Sequence, residues 1–197
     1  MPPVPFILIA DDFGVSKGVS DAILDLLAKK RLSGTGSMVN QPGWAAHAEA
    51  LTPFQGRCDL GLHLTLTLGA PLGPASTLAP EGQFLPLPKL MTKCFSNAIP
   101  RRELRDEILR QIETFKTVTG QFPDFIDGHQ HVHVLPGIRR ALFEALEILN
   151  RIANPGCVYP LIIWVQSWRA VCQSAKRCLF HFCRWALRAR QSAMVIA

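Results

Sequence analysis

The chain has one tyrosine, no CxxC pair among its six cysteines, and no acidic residue in its last 47 positions. Each absence excludes something. Cys58, Cys94, Cys157, Cys172, Cys178 and Cys183 show no finger-like spacing with histidine, so they read as free thiols of a reducing compartment, taken as cytoplasmic. The opening stretch MPPVPFILIADDFG lacks the basic n-region and small-residue cleavage site of a secretory leader. Its apolar run stops at two aspartates, too short to span a bilayer. With 48% apolar and 18% charged residues over 197 positions, the composition is that of a globular chain able to bury one core.

Charge is unevenly placed. Residues 1–150 hold 14 Lys+Arg against 15 Asp+Glu, whereas residues 151–197 hold 7 Lys+Arg and no acid. The net +6 therefore belongs to the C-terminal segment, which also carries three of the four tryptophans and four of the six cysteines. A nucleic-acid partner has only this charge to support it and ranks below the other readings.

The first 150 residues alternate between strand and helix periods. Val4–Ala10 is an apolar run of the kind buried on both faces of a parallel sheet. Ser16 can cap a helix over Lys17–Lys30, with Val19, Ile23, Leu26 and Leu27 on its apolar side. Gly36–Asn40 is a weak second strand, and Pro42–Leu51 a short helix opened by proline. In Cys58–Gly69 the leucines at 60, 62, 64, 66 and 68 form one face, while Gly61, His63, Thr65 and Thr67 form the other. A Pro/Gly-rich loop runs to about Lys89. A helix over Arg101–Thr119 follows, then a strand in DFIDGHQHVHV and a helix over Gly137–Asn150. This is an α/β pattern of about four β/α units, expected to form a parallel sheet that is either half of a barrel or one side of a doubly wound sheet.

In such folds, chemistry gathers at the C-terminal strand ends. Three segments qualify: Asp11–Asp12, His63, and the stripe Asp127, His129, His131, His133, which would share one face of the last strand. An aspartate pair is often only a turn, and a single strand histidine is often structural. Three stacked imidazoles are harder to place in a core, because their ring nitrogens need partners. One carboxylate and two imidazoles with open positions suit a divalent cation and metal-assisted hydrolysis. A turn at DDFG, with Gly14 as its flexible position, would let one aspartate bind metal and the other act as base. His47 and His181 look incidental.

The blocks ADDFGVSKGVSDAI, GLHLTLTLGAPL and DGHQHVHVLPGI resemble the signature blocks of the YdjC-like carbohydrate deacetylases, over about residues 5–150. The resemblance implies an irregular (β/α) barrel, here incomplete, that removes N-acetyl groups from acetylated sugars such as chitin-type oligosaccharides. It implies Asp11 as proton acceptor and Asp12, His63 and His129 as ligands of Mg²⁺. Ligand chemistry alone favours Zn²⁺, since imidazole is a borderline donor and Mg²⁺ prefers oxygen. Asp127, His131 and His133 would orient ligands, contact substrate or protonate the leaving amine. The donors of Asp12, His63 and His129 should then lie within about 3–5 Å of one another.

Residues 151–197 break the pattern and read as a divergent, basic tail outside the 1–150 domain. They are expected to add no strand, to leave the sheet edge beside Asp127–Val134 open or irregularly covered, and to leave turnover poor. The alternative is a non-catalytic binding protein with a vestigial metal site, its tail an amphipathic segment with Trp168, Val171, Cys172, Ala175, Leu179 and Phe182 at helical spacing. The expected partner is an acetylated oligosaccharide, with neither nucleic acid nor membrane among the partners.

Overall fold

The structure is a computed structural model that describes residues 7–153 and 162–163. The amphipathic tail helix expected above lies outside these residues. Five parallel strands form one sheet in the order β1-β2-β3-β4-β5: Ile9–Phe13, Gly34–Ser37, Asp59–Leu64, Phe125–Gly128 and Ile162–Ile163. The order never reverses. Right-handed crossovers then place successive helices on the same side of the sheet, which is barrel winding and not doubly wound winding. No helix among the described residues is long and apolar enough to cross a membrane.

The helices are α1 (Lys17–Ala28), α2 (Pro42–His47), α3 (Leu87–Phe95), α4 (Arg101–Thr119) and α5 (Ile138–Ala153). Ser16 caps α1 by accepting the Val19 N–H (3.3 Å), and Gly120 ends α4 in the left-handed region at φ 75°. One helical face of α4 and the alternate positions of β3 meet in the main core. Leu60, Leu62, Leu64 and Ile126 lie fully buried with Ile108, Ile112, Phe115 and Ile138. Trp44 of α2 stacks on Phe115 at 5.6 Å and meets Phe13 edge-on at 6.4 Å, tying β1 to α4.

The opposite sheet face is built differently. Gly36 pairs with Gly61, and His63 pairs with Asp127. Phe125 fills the space that Gly61 leaves: a Cβ on Gly61 would come within 2.5 Å of three atoms of its ring. Small residues on β2 and β3 thus make room for one large ring and for polar side chains above it.

Four expectations need correction. The strand read in DFIDGHQHVHV stops at Gly128, and His129–Val134 is a 3₁₀ segment with Gln130 and His131 at φ 52° and 59°. The three histidines therefore do not share a strand face. The first strand runs through Asp11 and Asp12 to Phe13, with a bulge between Ala10 and Phe13 where a turn was expected. The third strand ends at Leu64, five residues early, and helix α3 follows the Pro/Gly-rich loop. Finally, the segment expected to add no strand supplies Ile162–Ile163, which pairs with Phe125 and Ile126. The edge of β4 is therefore covered at its N-terminal half.

Candidate metal centre

The site forms where four chain segments leave the C-terminal edge of the sheet. At β1, the bulge puts Asp12 at φ 66°, a conformation that aspartate tolerates better than most residues. The twist turns its carboxylate toward the same region as that of Asp11, although neighbours in a regular strand point apart. Gly14, at φ 94°, follows the bulge and donates its N–H to Ser20 Oγ on α1 (3.1 Å), anchoring the bend.

His63 stands on β3 opposite Asp127 on β4. Its Nδ1–H donates to Asp127 Oδ1 at 2.7 Å, which aims Nε2 at Asp12 Oδ1, 3.4 Å away. His129, the first residue beyond β4, brings its Nδ1 to 3.2 Å from the same Asp12 oxygen. The rings of His63 and His129 meet edge to face at 5.6 Å. Two donor groups result, each with all donor atoms within 4.8 Å of one another: Asp12, His63 and His129, and Asp11, His63 and Asp127. They share His63.

The clustered carboxylates favour positive charge at this site. Burial raises the pKa of Asp11, and the negative charge of Asp127 beside it adds to the rise. One Asp11 oxygen is buried without a hydrogen-bond partner. Burial pulls His63 down, but its hydrogen bond to Asp127 and the surrounding aspartates outweigh this and raise it. Burial lowers His129 and His133, which favours the neutral imidazole that binds metals. An orphaned carboxylate oxygen beside one carboxylate and two imidazoles fits a divalent cation.

Of the other expected residues, Asp127 sits behind His63. His133 is buried against Gly128, where a Cβ would lie 2.8 Å from its Nδ1. His131 is exposed, its ring edge-on to His133 at 6.4 Å. Neither is among the donor groups found in the described residues. His47 bonds the Gly43 carbonyl of its own helix (2.8 Å).

Gly36 was not singled out by its sequence. A Cβ there would lie 3.2 Å from His63 Cβ, 3.4 Å from Asp11 Oδ1 and 3.5 Å from Asp127 Oδ1. This glycine is the gap around which β1, β3 and β4 gather their polar groups. Gly36→Ala is expected to leave the fold intact but to weaken divalent-metal binding by about tenfold, the scale of a lost outer-shell contact. Calorimetric titration checks this, and an unchanged affinity would show that the gap has slack.

A partial α/β barrel with metal-competent Asp and His donors at its C-terminal edge is the class these features define. The chain belongs to the YdjC-like protein family, whose model matches residues 5–195. It is 33% identical over 151 residues to a carbohydrate deacetylase of Mus musculus, covering 74% of this chain and 48% of that protein. It is 37% identical over 136 residues to a chitooligosaccharide deacetylase of Serratia marcescens, covering 67% and 51%. The chain spans about half the length of the curated relatives it matches. A crystal structure from Enterococcus faecalis, provisionally named a cellobiose-phosphate cleavage protein, aligns with TM-score 0.64 and 26% identity over 90% of this chain and 64% of the other.

Proposed function

We propose that this chain carries the metal centre of a carbohydrate deacetylase that removes acetyl groups from N-acetylated oligosaccharides. The convergence of Asp12, His63 and His129, with Asp11 alongside, is the observation that carries the reading. Asp12, His63 and His129 would hold the ion. Mg²⁺ is the ion that the family resemblance implies, while the imidazole pair also suits Zn²⁺. When bound, the ion polarises the acetyl carbonyl and makes water more acidic.

The chain's own groups do the rest. Asp127 fixes the tautomer and orientation of His63 by accepting its Nδ1–H. Asp11 takes the proton of the attacking water, a role that suits a carboxylate whose proton affinity is raised by burial. The half-exposed side of Asp12 faces the solvent from which a sugar arrives. For the buried His133 and the exposed His131 the roles that the resemblance implies are orienting ligands, substrate contact or protonation of the leaving amine.

The test is acetate release from acetylated chitooligosaccharides by the full chain, with and without EDTA and with Mg²⁺ or Zn²⁺ restored. Chelator-sensitive release is the expected result. Metal bound without any release would favour a non-catalytic binding protein with a vestigial site.

A further inference from the structure

Beyond Leu64 the chain loses its neighbour, because Leu64 and Gly128 are the last register pair between β3 and β4. A helix side chain replaces the missing strand. Gln111 of α4 is fully buried and engages both backbone groups of Thr65: its Oε1 accepts the Thr65 N–H (3.1 Å), and its Nε2 donates to the Thr65 carbonyl (2.8 Å). The Thr65 hydroxyl in turn donates to the carbonyl of His63 (2.9 Å).

Gln111 is itself held. Its Nε2 also donates to Glu107 Oε1 (2.9 Å), and Glu107 is 0% exposed. Glu107 accepts the Leu72 N–H at 3.1 and 3.2 Å and pairs with Arg110 at 3.0 Å. From the other side, Asn40 and Gln41 donate to the Leu68 carbonyl at 2.9 and 3.0 Å. Residues 65–72 are thus pinned at both ends by α4 and in the middle by the segment after β2. A buried carboxylate and amide are costly to desolvate, and a satisfied network of this kind confers a single geometry more than it confers stability.

We propose that Gln111, backed by Glu107, is a positioning residue for His63. By fixing the backbone two residues after His63, it sets the ring with Nδ1 on Asp127 and Nε2 toward the Asp12–His129 gap. The metal arm of its test rests on His63 being a ligand; the ring-placement arm does not.

Three variants of the full chain decide it, and a fourth, His63→Ala, checks the ligand on which the metal arm rests. Gln111→Met keeps length and helix preference but loses both bonds to Thr65. Glu107→Gln keeps an acceptor and loses the charge. Ile112→Val, next along the same helix, is the control for mere loss of stability. The first readout is the downfield proton resonance of His63 Nδ1–H in the ion-free protein, and the second is Zn²⁺ affinity by calorimetry. Gln111→Met is expected to shift or broaden away the resonance and to weaken Zn²⁺ about tenfold. Glu107→Gln should move both in the same direction by less, and Ile112→Val should move neither. A parent-like resonance in Gln111→Met overturns the proposal, as does an equal change in Ile112→Val. If Gln111→Met does not fold, an unchanged resonance in Glu107→Gln overturns it instead. His63→Ala binding Zn²⁺ as tightly as the parent would reject His63 as a ligand, and the resonance would still decide the positioning role.

Discussion

Asp11→Asn is expected to stop acetate release while metal stays bound, whereas His129→Ala is expected to lose the metal itself. A base and a ligand fail differently, because only the ligand holds the ion. Asparagine keeps the size of Asp11 and removes its capacity to take a proton, which should lower turnover by about 10²- to 10⁴-fold. In the proposed site His129 would supply one of three donors, and its ring rests against Asp12 and His63 and fills no core position. Its removal should therefore spare the fold and weaken metal binding severely. Metal content of the purified variants, measured beside acetate release, separates the outcomes. Equal loss of metal in both would mean that Asp11 and Asp12 have exchanged roles.

The second large effect lies beneath the site. Gly61→Ala places a methyl 2.3 Å from the Phe125 ring, well inside contact distance. Because Phe125 is buried and Asp127 is two residues further along the same strand, the ring cannot retreat without moving the partner of His63. Overpacking of this kind costs about 1–3 kcal/mol, a fall in melting temperature of several degrees for a chain of this size. The double variant Gly61→Ala, Phe125→Leu should recover part of the loss, since the smaller side chain frees the space. A coupling of at least about 1 kcal/mol in the double-mutant cycle is expected. Strict additivity would show that the two residues do not compete for one volume.

Much of this was legible because burial imposes periodicity. The heptad-like spacing of Leu104, Ile108, Ile112 and Phe115 located α4, and the alternating leucines of β3 separated its core face from the face that carries His63. Placing the chemistry at strand ends picked out Asp11–Asp12, His63 and the histidine stripe, and the family resemblance narrowed these to Asp12, His63 and His129. The histidine stripe misled because period two is a strand signal only while the sheet continues. Here the chain turns away after Gly128, and the glycine leaves the space into which His133 folds.

Other features leave no local trace. Glu107 and Gln111 look like the polar face of an exposed helix, and they are buried only because residues 65–72 fold across them. Gly36 acquires its meaning from three side chains on β1, β3 and β4, all distant in sequence. Ile162–Ile163 is too short for any periodic pattern to mark it as a strand.

Asp12 and His129 are 117 residues apart, and His63 and Asp127 are 64 apart. During synthesis the first aspartate and the first imidazole emerge well before their companions, by roughly 3–13 seconds for His129 after His63 at ordinary elongation rates. No ion can collect these donors until β4 has docked beside β3, a long loop closure that folding meets late. An ion held by these donors would therefore not seed the fold but would hold the finished sheet together, so its scarcity is expected to shorten the life of completed molecules more than to slow the formation of new ones.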